Sequence, residues 1–241
     1  MTKKKLKSRK DTEGSTKQPF DLLTLILFCL SLFSIGSKAS TNSIHEELLK
    51  TPDSLKEQIH PQVKHLFHNL PLEKPRKEIR AVIRNDGRFV STDSVFNNYE
   101  PSSFFKGIAL DKGLILSNPD SIQVLLGLGN TLLSTEKGVE ADFKDIMLLN
   151  FSYFYSEKEN SEYEFERLIN LLSPILKDTT STQSEAPYAT SEIQGQMTIR
   201  ETIFENFAPY YRVAISSLSF HPADGSKSFF ELDIVFGKED K

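Results

Sequence analysis

One stretch restricts this chain more than any other: Leu22 to Ser37, sixteen residues without a charge, preceded by Lys3, Lys4, Lys5, Lys7, Arg9, Lys10 and Lys17. An apolar run behind a basic leader is handled by export machinery and keeps its cationic side in the cytoplasm. Residues 1–19 read as a basic cytoplasmic leader and residues 20–39 as a transmembrane segment or signal peptide, with the membrane engaged through residues 22–37. The run is short for a spanning helix of about 20 residues and slightly long for a signal-peptide core of about 7 to 15. Ser37-Lys38-Ala39 puts small residues where a signal peptidase would cut after Ala39, whereas the long leader favours retention. Both outcomes place residues 40–241 across a membrane, in a periplasm or outside the cell.

Charge divides at the same place. Residues 1–19 carry seven Lys/Arg against two Asp/Glu, while residues 37–241 carry 22 against 30, a balance of −8. An acidic exported part argues against nucleic acid as a partner, because phosphate contacts need a clustered cationic face. The one cysteine, Cys29, lies inside the apolar run, so no intramolecular disulfide, thiolate metal site or cysteine nucleophile is available to the exported part. With 18 Phe and no Trp, phenylalanine is the main core filler.

Residues 40–75 read as a helical membrane-proximal spacer and linker. Thr51-Pro52-Asp53 is a helix start, and Leu55, Ile59, Val63, Leu66 and Leu70 form a stripe at spacings of three and four whose register Pro61 breaks. The stripe docks on the following domain, residues 76–241, which forms one sheet covered by helices or two lobes at 76–157 and 158–241. Its expected class is α+β, a mixed or antiparallel sheet packed with a few helices.

Alternation at Ile79, Ala81 and Ile83, then Asn85-Asp86-Gly87, then Arg88 to Val90 predicts a hairpin, and Phe105–Leu110 with Leu114–Leu116 predicts a second. Ser117-Asn118-Pro119-Asp120 signals a helix through residue 134, although Gly127 and Gly129 each cost it about 1 kcal/mol. Residues 143–155 read as a long central strand. Ser161 and Glu164 form a capping-box pattern opening a helix that buries Phe165, Leu168, Ile169, Leu172, Ile175 and Leu176, with Pro174 kinking its end. The Ser/Thr-rich residues 178–192 read as a surface loop. The remainder predicts a β-α-β-β unit: a strand at 193–199, a short helix at 201–211, a strand at 213–220, a turn at Asp224-Gly225 and a closing strand at 230–236, with a right-handed crossover.

Candidate chemistry is sparse. His65 and His68, three apart on a helix with His60 and Glu57 nearby, are close enough to share a metal, although Lys64 and Asn69 also suit an exposed polar face. Phe207, Tyr210 and Tyr211 beside Pro209 form an aromatic cluster, read as core or as a partner-binding patch. Glu162, Glu164 and Glu166 suit the helix dipole better than acid–base work, since alternate helical positions do not face each other. Gly127-Leu128-Gly129 lacks the third glycine of a dinucleotide loop, and no nucleophile elbow, HExxH, P-loop or CxxC occurs. No cofactor is implied, and Asn150-Phe151-Ser152, formally a glycosylation sequon, falls in an expected strand.

The anchor and the last 50 or so residues resemble in layout the inner-membrane alignment subunits of type IV pili and type II secretion systems. The proline-broken stripe departs from the coiled-coil stalk of those proteins. The resemblance implies a non-enzymatic, single-pass envelope protein whose exported domain binds other proteins. The alternative expectation is a secreted or periplasmic protein, released near Ala39, that holds an apolar or lipid-like ligand. An uncharacterised hydrolase is a third, requiring side chains that converge only in three dimensions.

Overall fold

The computed structural model describes residues 58–92, 105–133, 142–189, 194–207 and 210–239. The apolar run, its leader, Ala39 and the start signal at Thr51 lie outside them. Among the described residues three helices, α1 (Pro61–Leu66), α2 (Arg76–Asn85) and α3 (Lys158–Leu172), accompany eight strands: β1 (Phe89–Ser91), β2 (Phe105–Ala109), β3 (Ser121–Leu133), β4 (Asp142–Tyr155), β5 (Lys177–Ala189), β6 (Gln194–Phe207), β7 (Tyr210–Pro222) and β8 (Phe229–Glu239). All strands join one sheet in the order β1-β2-β3-β4-β8-β7-β6-β5, and every neighbouring pair is antiparallel. Strands from both expected lobes therefore share one sheet, joined where β4 pairs with β8.

α3 decides this topology. β4 ends in the middle of the sheet, and α3 carries the chain over one face to β5 at the far edge, after which β6, β7 and β8 return strand by strand to β4. The helix buries Phe165, Leu168 and Leu172 in the main core. That core lies between the helices and the sheet face carrying Phe105, Val124, Phe151, Tyr153, Ile215, Ile234 and Phe236. α1 and the turn after it belong to the same layer: Val63, Leu66 and Leu70 are buried, and Phe67 meets Phe151 and Phe236 edge-on at 6.0 and 5.5 Å. The stripe of the spacer thus docks on the sheet. Pro61 opens α1 where it was expected to break the register, because the first helical position needs no backbone donor.

Several sequence expectations are overturned. Residues 76–85 form α2: Ile79 and Ile83 are buried while Ala81 is exposed, so the period is 3.6 and the alternation coincidental. Asn85-Asp86-Gly87 ends that helix instead of turning a hairpin. The expected helix of residues 117–134 is β3, paired with β4 through thirteen successive positions; that ladder and its two glycines defeat the helical stripe. Residues 114–116 lie in the loop before it. The expected loop at 178–192 contains β5, and the expected helix at 201–211 belongs to β6 and β7, paired up to Phe207 and Tyr210. The chain therefore closes on an antiparallel meander, not on a β-α-β-β unit, and no parallel crossover joins the described strands. The coarser expectation, an antiparallel sheet packed with a few helices, holds.

Candidate functional site

The histidines are placed apart. Asn69 Nδ2 lies 3.3 Å from the ring of the exposed His65, whereas His68 turns into the core in a left-handed backbone conformation (φ 56°). His68 stacks on Phe151 with centroids 4.6 Å apart, Nδ1 2.9 Å from Asp111 Oδ1 and Nε2 3.4 Å from the Tyr153 hydroxyl. Burial lowers the pKa of His68, against the opposing pull of Asp111. The result is a buried neutral imidazole that pins the turn after α1 to the β2–β3 loop. Among the described residues no group of three His, Cys, Asp or Glu side chains could hold a metal ion. Tyr211 is 2% exposed and stacks on Phe236, so it is a core residue; the side chains of Phe207 and Tyr210 lie outside the described residues.

Glu164 also changes role. It is fully buried, with Oε1 accepting the backbone N–H groups of Leu116 (2.7 Å) and Ser117 (2.6 Å) and Oε2 accepting from Arg167 Nε (2.6 Å). Arg167 then donates to the Leu114 carbonyl at 2.8 Å. Instead of capping its own helix, Glu164 fastens α3 to the loop before β3. The N-cap position is Glu157.

The second sheet face holds two apolar clusters made of strand residues alone, Met197, Ile199, Leu218 and Phe220 on one side and Ala214 and Val235 on the other. Between them strand register aligns Gln123, Ser152, Asp233, Ser216, Glu201 and Thr182 in one row across six strands. Ser152 Oγ donates to Asp233 Oδ1 at 2.5 Å, and Ser216 Oγ donates to Glu201 at 3.2 Å. Glu231 sits beside the row, 2% exposed, with its Oε1 unpartnered among the described residues. Burial raises the pKa of Glu231, Asp233 and Glu201, which favours the protonated carboxyls. Alternation with Phe230, Leu232 and Ile234 would assign Glu231 and Asp233 to solvent, so sequence could not reveal their burial.

The accessible feature is β5. Among the described residues it pairs with β6 alone, and side chains 181–187 are exposed on both faces. An edge strand half in water needs no apolar alternation, so its Ser/Thr-rich composition looks like a loop. A register shift between Asp178 and Thr180 interrupts it at one end, and Pro187, which brings no backbone donor, stands near the other, opposite Gln196. Beside it runs a groove of about 320 Å³ between α3 and the sheet, lined by Phe165, Glu166, Ile169, Ser181, Gln183 and Arg200 among others. Arg200 lies 4.7 Å over the Phe165 ring and pairs with Glu166 at 2.5 Å, so all three form part of the groove wall. The volume is at the lower end of the range for ligand sites. A strand that among the described residues pairs on one side alone, beside a partly apolar groove, suits an extended polypeptide.

Comparison with protein-family models, curated proteins and solved structures finds no match.

Proposed function

We propose that this chain is a single-pass membrane-anchored envelope protein whose extracytoplasmic domain is a non-enzymatic interaction scaffold, docking a protein segment along β5. The observation that carries the reading is the long edge strand, which among the described residues pairs with β6 alone, flanked by the α3 groove. Natural proteins blunt edges with lysine, proline or a bulge; β5 carries Lys177, the register shift and Pro187 toward its ends, and between Thr180 and Ala186 its single charge is Glu185. The basic leader and apolar run supply the anchor, and residues 38–57 link it to the domain.

A photoreactive amino acid at Gln183, compared with one at the exposed Lys227 in the β7–β8 turn, tests the site in cells. The expected result is a protein adduct from position 183 that is missing from position 227, on a chain that resists alkaline carbonate extraction. Identical adducts at both positions, or none from 183, refute the docking edge; release by carbonate refutes the anchor separately.

A further inference from the structure

Charge is distributed unevenly along the exported part. Residues 58–92 carry seven Lys/Arg against three Asp/Glu, a balance of +4, whereas residues 93–241 carry 12 against 23, a balance of −11. α2 concentrates the excess. Arg76, Arg80 and Arg84 follow one another at four-residue spacing and form a single row along the helix, with Lys77 beside it, while Ile79 and Ile83 face the core. The three carboxylates of the segment are matched to other cations: Glu73 to Lys64 at 3.2 Å, Glu78 to Lys74 at 3.8 Å and Asp86 to Arg88 at 2.7 Å. Lys77, Ala81 and Arg84, on the outer side of the helix, are exposed. Arg76, Arg80 and Arg84 make further contacts within the protein, and each still adds its charge to the field at this end of the domain.

We infer that α2 docks on an anionic lipid surface, that of the membrane holding the chain's own anchor, and so fixes the orientation of the domain there. This rests on the reading of residues 22–37 as a retained anchor. Residues 38–57 reach up to about 70 Å at full extension, so the tether by itself leaves the domain free to turn. Charge chooses the orientation. Each cation held within a Debye length of about 8 Å of an anionic surface adds about a fivefold preference for the docked state, and the acidic remainder is repelled from the same surface. α2 packs beside β1 at one end of the sheet, and β5 lies at the other end, seven strand spacings or about 34 Å away. Docking through α2 therefore turns β5 away from the lipid, toward the side from which a protein segment approaches.

Full-length protein in liposomes gives the test. Cys29→Ser removes the only native thiol, and Ala81→Cys on α2 or Gln183→Cys on β5 carries a fluorophore quenched at short range by nitroxides on the lipid headgroups. In vesicles rich in phosphatidylglycerol the dye at 81 is quenched and the dye at 183 is not. Phosphatidylcholine vesicles, or anionic vesicles at high salt, abolish the quenching at 81. Lys77→Gln with Arg84→Gln lowers the docked-to-undocked ratio about twentyfold, from roughly a fivefold loss for each charge removed; Lys77→Arg with Arg84→Lys keeps it. Circular dichroism of each variant confirms that the fold is intact. Quenching at 81 that is equal in neutral vesicles, indifferent to the Gln pair, or absent from anionic vesicles overturns the docking, and in the last case a photo-adduct from position 81 to a protein assigns the cationic row to an acidic partner instead. Release of the protein from phosphatidylcholine vesicles by alkaline carbonate refutes the anchor on its own, whatever position 81 reports in anionic ones.

Discussion

Replacing Glu164 by Gln asks how much of the fold hangs on one buried carboxylate. Glu164 is 0% exposed and takes four short contacts: two backbone N–H groups at 2.6–2.7 Å, and Arg167 Nε and a second guanidinium nitrogen, each at 2.6 Å. The amide keeps the shape and leaves an oxygen for Leu116 and Ser117, but turns an NH₂ toward the guanidinium, donor against donor. Charge-assisted bonds are worth about 1.5–3 kcal/mol each, and removing one partner of a buried pair costs about 3–5 kcal/mol. Arg167 is about a fifth exposed and can recover part of its hydration, which places the loss near 3 kcal/mol. In a domain of this size that is a fall in Tm of about 6–12 °C. Urea unfolding followed by circular dichroism, with tyrosine fluorescence as a second probe because the chain has no Trp, measures it. The midpoint should fall at constant slope, and a cycle with Arg167→Met should show coupling above about 1 kcal/mol. A loss under about 1 kcal/mol, or full additivity with Arg167→Met, would refute the role assigned to this carboxylate.

Three further outcomes follow from the same geometry. Because burial raises the pKa of Glu231 and Asp233, the folded state holds protons that the unfolded state releases above about pH 4. Their contribution is complete below that pH and lost as pH rises, so Asp233→Asn should gain stability relative to wild type between pH 5 and 8, by at most about 1.4 kcal/mol per unit, in paired urea titrations. His68 has the opposite sign: its lowered pKa means stability present above about pH 6.5 and lost on acidification, and His68→Asn should remove that acid limb. Gly113 and Gly225 both have positive φ, but a Cβ at Gly113 would stand 2.7 Å from the His68 ring while one at Gly225 meets nothing within 4 Å. Gly225→Ala should cost about 1 kcal/mol and Gly113→Ala about 1–3 kcal/mol more in thermal unfolding, and equal costs would show that the His68 contact yields.

What the sequence by itself determined is local and periodic. The strand at 143–155, the helix that buries Phe165, Leu168 and Leu172, the turn at Asp224-Gly225 and the closing strand through Phe236 were legible because each combines a clean period with punctuation at its ends. The docking of Ile59, Val63, Leu66 and Leu70 was legible for the same reason. Tertiary structure decided everything in which two periods fit one segment or in which burial came from elsewhere. Ile79 and Ile83 fit a strand or a helix until the core chose one face, and Ile122, Leu125 and Leu126 fit a helix until pairing with β4 claimed the whole segment. β5 could not be seen at all, since an edge strand exposed on both faces carries no hydrophobic pattern to read. The candidate docking site is that edge, and it exists because α3 delivers the chain to the far side of the sheet, a path set by long-range packing that no local stretch of residues encodes.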